Sequence, residues 1–262
     1  MNGNSKRPIW LDDLIRTIGF LTRVPMPAPD AIDRPLMRAA WAFPVAGAIV
    51  GGAGALALLM SDHAGLPMIA SALIALAVTA LVSGALHEDG FGDFFDGIGG
   101  GIGGGGDPAR RISIMRDSQA GNFAVLALVM ATGLKAVALA SAPQASDAAL
   151  LLIVVHMIAR SVIAPVAQLL PPADSKGLGH GAGRPGWGSA LAGTAIAVAA
   201  SLGLVPWPGV MAALAVACVA ALLVAFWAKR VLGGHTGDVF GTVEQMAEIG
   251  ILLAYAAAHA KP

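Results

Sequence analysis

Apolar residues run along this chain in long blocks separated by short polar stretches. Residues 40–60, 67–86, 123–141, 148–170, 189–205, 210–228 and 241–258 each come close to the length that crosses a bilayer. Such a crossing takes about 20 mostly apolar residues. The pattern therefore predicts seven transmembrane helices. The fifth block is short, and the seventh carries Glu244 and Glu248 at its start. These two are expected to tilt or to insert only in part. Residues 9–21 repeat apolar positions at helical spacing, carry Asp12, Asp13 and Arg16, and stop ahead of Pro25. They read as an amphipathic helix lying in the membrane interface. The expected fold class is an all-α polytopic membrane protein, about seven transmembrane helices plus this interfacial helix. Residues 1–262 form one integral-membrane domain without a linker or an internal repeat.

Composition agrees with that pattern. The chain is 56% hydrophobic and 12% charged, against roughly 25% charge in soluble domains. Its mean hydropathy is +0.75. So few charges cannot coat a water-soluble body of this size. The polar run Met1–Lys6 and the acids that follow do not form a secretory signal. A net charge of +0 gives no electrostatic footprint for nucleic acid. The single cysteine, Cys218, allows neither an internal disulfide nor a cysteine-based metal centre.

Lysine and arginine alternate between loops. Lys6, Arg7, Arg16, Arg23, Arg34 and Arg38 precede the first block. The second loop holds Arg110, Arg111 and Arg116, the fourth Lys176 and Arg184, and the sixth Lys229 and Arg230. The first, third and fifth loops have none. The excess of basic residues in cytoplasmic loops places the N-terminus in the cytoplasm and the C-terminus, with Lys261, outside. The polar stretches 88–119, 174–187 and 229–238 then share the cytoplasmic face, where they can build one site.

The densest chemistry lies in His87-Glu88-Asp89-Gly90-Phe91-Gly92-Asp93-Phe94-Phe95-Asp96-Gly97. On a helix, Asp89, Asp93 and Asp96 fall at i, i+4 and i+7, one stripe. Three like charges in line need a cation. Hard carboxylate oxygens suit Mg²⁺, which commonly also binds substrate phosphates. Gly90, Gly92 and Gly97 leave that helix open to bending. The run Gly97–Gly106 reads as a flexible linker or lid. It is not a phosphate-binding Walker loop, because Asp107-Pro108 follows in place of Gly-Lys-Ser/Thr.

Other polar positions extend the set. Arg110, Arg111 and Arg116 sit on a short basic helix, where Arg111 and Arg116 suit bidentate phosphate contacts or serve as positive-inside anchors. Asp117 can add a metal ligand. Asp238 either caps the seventh span or joins the chemistry. Glu248 falls below the headgroups and needs a partner. Arg160, one turn after His156, is an intramembrane charge, read either as functional or as an interhelical salt bridge. Lys135, nearer the outer face, is expected to snorkel. His180 lies in a glycine-rich loop, Lys176–Arg184, read either as phosphate-binding or as a plain loop.

Four stretches resemble the cobalamin synthase family, adenosylcobinamide-GDP ribazoletransferase. They are Phe20–Pro25, His87–Gly97, Ile114-Met115-Arg116-Asp117-Ser118 with Gly121, and Thr236-Gly237-Asp238 with Gly241 and Glu248. They occur in the right order and cover residues 20–248. The resemblance implies membrane helices in the bacterial inner membrane. It implies transfer of α-ribazole, free or 5′-phosphorylated, onto adenosylcobinamide-GDP with loss of GMP, and Mg²⁺ as cofactor. Within that reaction Asp89, Asp93 and Asp96 are expected to hold the metal. Asp117 and Asp238 are expected to serve a second ion or to act as general base, and Arg116 to clamp phosphate. Arg23, Arg111, Arg160, Thr236 and Glu248 complete the expected substrate contacts. Glu88 and Glu244 lie outside the positions where the family pattern demands an acid. The partners are these small molecules and the lipid bilayer, without nucleic acid; the sequence is compatible with a homo-oligomer.

Two other readings compete. CDP-alcohol phosphotransferases also place aspartates around a metal on membrane helices, but with a longer spacing than Asp-x-x-x-Asp-x-x-Asp. A cation or corrinoid transporter would place its acids in mid-span, whereas here they gather at one face.

Overall fold

A computed structural model describes residues 7–30, 33–100, 106–174 and 177–259. Lys6, Lys176, Lys261 and residues 101–105 of the glycine run lie outside the described residues. Helix is the regular structure throughout them; the backbone meets itself as a bridge only at Pro172 and His235.

Helix α1 spans Ile9–Leu21. A 3₁₀ helix, Leu36–Ala42, runs directly into α2, Phe43–His63. Pro67 opens α3, Met68–Ser83, and α4 follows as Leu86–Gly99. Asp107 caps α5, Pro108–Met115, by accepting the Ala109 N–H. Then come α6, Asn122–Ala140, α7, Ala145–Ser161, and α8, Ile163–Leu169. The short α9, Leu178–Gly181, precedes α10, Trp187–Leu202. Helix α11, Trp207–Leu232, ends at Gly233, and α12 is Gly237–His259.

Five segments are long and apolar enough to cross a membrane: Leu36–His63, Asn122–Ala140, Ala145–Leu169, Trp207–Leu232 and Gly237–His259. The other two expected spans correspond to α3 and α10, each of 16 residues. Helix α3 joins α4 across a 94° bend, and the two count together as a sixth crossing if they form one broken span. Large apolar side chains stay exposed on the outward faces, among them Leu81, Val129, Val137, Leu223 and Phe226. Water would penalise such a surface, and lipid does not. The protein is an all-α polytopic membrane protein.

The segment α7–α8 is the most enclosed span. Helix α2 lies on α7 at van der Waals range through glycine. A β-carbon at Gly51 would stand 2.8 Å from Ile153 Cα, and Gly47 meets the His156 main chain in the same way. Small residues that let backbones approach drive helix association in lipid.

Helix α1 differs from a simple interfacial helix. Its acids point inward: Asp13 accepts from Arg34 Nε at 2.7 Å and Trp41 Nε1 at 3.0 Å, and Asp12 accepts from the Asp30 N–H at 2.6 Å. Ile9, Trp10 and Phe20 are exposed instead. The partners come from some 20 residues downstream and turn the polar face toward protein.

Candidate functional site

The site begins at the α3–α4 hinge. Gly84 and Ala85 both adopt left-handed backbone, φ +68° and +54°. The Arg23 guanidinium lies over Gly84, where a β-carbon would overlap it, and Arg23 Nη2 reaches Gly84 O at 3.5 Å. The Arg23 N–H also donates to Val82 O at 2.7 Å. Arg23, expected on substrate, therefore fastens the hinge.

Beyond the hinge α4 is unbroken through Gly90, Gly92 and Gly97, so the aspartate stripe stands on a continuous helix. Glycine serves close approach there. A β-carbon at Gly90 would lie 2.9 Å from Asp238 Cα, and one at Gly241 would lie 2.8 Å from His87 O. This contact of α4 with α12 brings a fourth carboxylate to the stripe.

Asp96 stands apart from the others. Its two oxygens accept the N–H groups of Gly121 (2.5 Å) and Ala124 (2.8 Å), which caps the start of α6. A carboxylate has about four lone-pair sites, so two are committed to this cap. Asp89 and Asp238 adjoin through the Gly90 contact, Asp93 follows one turn along α4, and Asp96 is committed to its cap.

A cavity of about 240 Å³ adjoins this group. Its polar lining includes His87, Asp89, Arg116, Asp174, His235 and Asp238; its apolar wall includes Phe20, Phe43, Ile163 and Phe240. Arg116 pairs with Asp174 across the cavity. Thr236, also in the lining, donates to Asp238 Oδ2 at 3.1 Å and accepts the Val239 N–H at 3.3 Å. Thr236, rather than Asp238, thus caps α12, which leaves Asp238 oriented for other work. Asp117 is exposed and accepts the Gln119 N–H in a local turn, outside the cavity lining. Arg111 Nη1 donates to the carbonyls of Gly97 (3.2 Å) and Ile98 (2.9 Å), closing the end of α4.

Arg160 and Glu248 lie behind the cavity and do not line it. Arg160 pairs with Glu244 and, at 3.4 Å, with Glu248. Lys135 Nζ donates to Gln245 Oε1 at 2.8 Å and Glu248 Oε2 at 3.1 Å, so it is held inside the bundle and does not snorkel. His156 pairs with Glu248. The network reaches the cavity wall where Arg160 Nη2 comes within 3.4 Å of His87 Nδ1. Ligand atoms of His156, Glu244 and Glu248 lie within 4.8 Å of one another, a spacing that a cation could bridge. Lys135 and Arg160 already offset the charge of the two glutamates.

Two histidines of the cavity carry no role in the sequence reading. His87 stood inside the acidic motif unassigned. His235 is 1% exposed and neither ring nitrogen has a hydrogen-bond partner. Its ring lies 4.7 Å from that of Phe240. Burial, with the Arg184 charge, pushes its pKa down to about 4, so it is neutral at physiological pH. A lone histidine between glycines gave no periodic signal to find it by.

Comparison with known proteins bears on the whole chain. Residues 13–256 match the family model described as cobalamin-5-phosphate synthase. A Bradyrhizobium diazoefficiens protein named adenosylcobinamide-GDP ribazoletransferase is 40% identical over 252 residues, 94% of this chain and 93% of that one. Proteins of the same name from Mesorhizobium japonicum and Brucella canis are each 38% identical. The first match covers 93% of this chain and 92% of the relative; the second covers 93% and 95%. No solved structure matches the chain. By the extent of the family match and the identity to these relatives, the chain belongs to the cobalamin-5-phosphate synthase family.

Proposed function

We propose that this protein is an adenosylcobinamide-GDP ribazoletransferase. It joins α-ribazole or its 5′-phosphate to adenosylcobinamide-GDP, releases GMP and so completes the nucleotide loop of the corrinoid. Its membership of the family and the names of its relatives support that reaction. The single observation that carries it is that Asp89 and Asp238, from two different helices, line one cavity with an apolar wall, with Asp93 one turn further along α4.

The donor types suit Mg²⁺, which takes hard carboxylate oxygens together with water and substrate phosphate. When bound, Mg²⁺ supplies charge neutralisation for the diphosphate. Asp89 and Asp93 would hold it, with Asp96 contributing through the lone pairs that its cap leaves over. Asp238, oriented by Thr236, accepts the proton of the attacking ribazole hydroxyl. The ribazole oxygen forms a bond to the phosphorus linked to cobinamide as the bond from that phosphorus to the GMP oxygen breaks. Arg116 exchanges Asp174 for substrate phosphate. Arg160 and Glu248 act through His87, as positioning residues. The loop charges support a cytoplasmic N-terminus and a site at the cytoplasmic face of the bacterial inner membrane.

Vesicles containing the protein, Mg²⁺, adenosylcobinamide-GDP and α-ribazole should release GMP with a complete corrinoid. Ligand crossing the vesicle without GMP release would favour the transporter instead. Chelation should stop turnover and added Mg²⁺ restore it. Asp93→Asn should lower the rate at least about 100-fold, the scale for losing an electrostatic stabiliser, in a folded protein. Full activity of that variant would refute the metal assignment.

A further inference from the structure

We infer that His235 recognises the planar base of the incoming nucleoside by donating one hydrogen bond to its free ring nitrogen. This inference rests on the transferase reading and names the part of the substrate that the cavity accepts.

The position is built, not incidental. The His235 N–H donates to Pro171 O at 2.9 Å, and its carbonyl accepts the Ala173 N–H at 2.9 Å. Gly234 beside it abuts the Pro171 carbonyl so closely that a β-carbon would overlap it. The main chain is thus clamped while the side chain is left without a polar partner. Buried polar atoms are almost always satisfied, and an exception calls for an explanation. A ligand seated in the cavity supplies one. No side chain among the described residues does.

The surroundings select the ligand. The His235 ring lies against Phe240, and Phe20, Phe43 and Ile163 continue the apolar wall. A neutral imidazole offers one N–H donor and one acceptor. A wall of this kind fits a flat, mainly apolar heteroaromatic ring with one in-plane acceptor. α-Ribazole, a benzimidazole nucleoside, has such a ring: one nitrogen carries the ribose and the other keeps a free lone pair. At about 240 Å³ the cavity is below the range of roughly 300–1,000 Å³ that encloses drug-sized ligands. It suits a small base and leaves the corrin ring outside. Asp238, three residues along, then faces the ribose side of the same ligand.

The test uses the full chain in lipid vesicles and measures the KM of each substrate. His235→Phe keeps the ring contact and removes both nitrogens. It should raise the KM for α-ribazole about tenfold or more, with the KM for adenosylcobinamide-GDP within about twofold, since losing one buried hydrogen bond corresponds to roughly that factor. His235→Gln, which retains an N–H donor, should recover part of the loss. An indole nucleoside, with C–H in place of the free ring nitrogen, should be disfavoured about tenfold by the wild-type protein and not by His235→Phe. An unchanged KM for α-ribazole, a shift confined to the corrinoid nucleotide, or equal discrimination by both proteins would overturn the inference. If His235→Phe does not fold, the choice between the two nucleosides by wild type and His235→Gln decides it. If the wild-type protein releases no GMP, the transferase reading fails on its own. Binding of α-ribazole, followed by benzimidazole fluorescence, then decides the inference: equal affinity of wild type and His235→Phe overturns it.

Discussion

Gly90 lies against the main chain of Asp238, with room for hydrogen and none for a methyl group: a β-carbon at 90 would stand 2.9 Å from Asp238 Cα. The two helices that carry the carboxylates meet there, so their spacing is set by what residue 90 lacks.

Gly90→Ala should therefore push α4 from α12. Overpacking costs about 1–3 kcal/mol, and a displacement near 1 Å in a reacting group costs about 100-fold in rate. The loss of GMP release should exceed what the fall in thermal stability explains. Gly92→Ala is the comparison, since its methyl would meet only side chains at its two closest contacts, the Ala124 β-carbon at 3.3 Å and Leu128 Cδ1 at 3.4 Å. Equal effects at both positions would show that the Gly90 contact is not special.

Asp96 and Asp93 should separate by their variants. Asp96→Ala removes the cap of α6, at a cost of about 1–2 kcal/mol. Asp96→Asn keeps an acceptor oxygen and should retain far more turnover than Asp93→Asn. Melting temperature and initial rate, measured on the same detergent preparations, check this. An Asp96→Asn protein of normal stability and no activity would make Asp96 a metal ligand first and a cap second.

Lys135→Met should leave excess negative charge inside the bundle. Breaking a buried pair typically costs 3–5 kcal/mol. Adding Glu248→Gln removes the excess, so the double variant should melt above Lys135→Met. Additive losses in that double-mutant cycle would mean that the two residues do not interact.

His235 should make the protein sensitive to acid. Its folded pKa is about 4, below the ordinary value of 6.5. Between those values the unfolded chain binds a proton that the folded protein does not, so stability falls as the pH drops through this window. Its contribution is complete above pH 6.5 and lost below about 4. The gap in melting temperature between wild type and His235→Phe should shift against the wild type from pH 7 to pH 4.5. Parallel curves would show that His235 protonates freely.

The apolar blocks and the aspartate stripe were legible because each rests on a local period. Every long span was visible as a run of mostly apolar residues with few charges. The helix through Asp89, Asp93 and Asp96 was visible in its spacing, though only the packing of Gly90 against Asp238 on α12, answered by Gly241 of α12 against His87, shows what close approach its glycine serves. What stayed hidden depends on residues distant in sequence. Arg160 and Glu248 plainly needed partners, yet their 88-residue separation gave no sign that they would find each other and Lys135. Arg23 and Arg111 looked like phosphate ligands because an arginine reads the same whether it meets a phosphate or a carbonyl. Asp12 and Asp13 looked like the wet face of a surface helix until Arg34, Trp41 and the Asp30 backbone appeared beside them.

The buried ion network also bears on how the protein is made. Lys135 belongs to α6, Arg160 to α7, and Glu244 and Glu248 to α12, so each of these helices carries a buried charge whose partner lies on another helix. A charge at the centre of a lone helix costs about 2.5–3.5 kcal/mol on insertion scales. Of these three helices, α6 and α7 emerge from the ribosome first and contribute only positive charges to the network, and the compensating pair arrives with α12. A chain truncated before α12 would hold two orphaned cations in lipid. The same side chains that stiffen the floor of the site thus tie completion of synthesis to stable assembly.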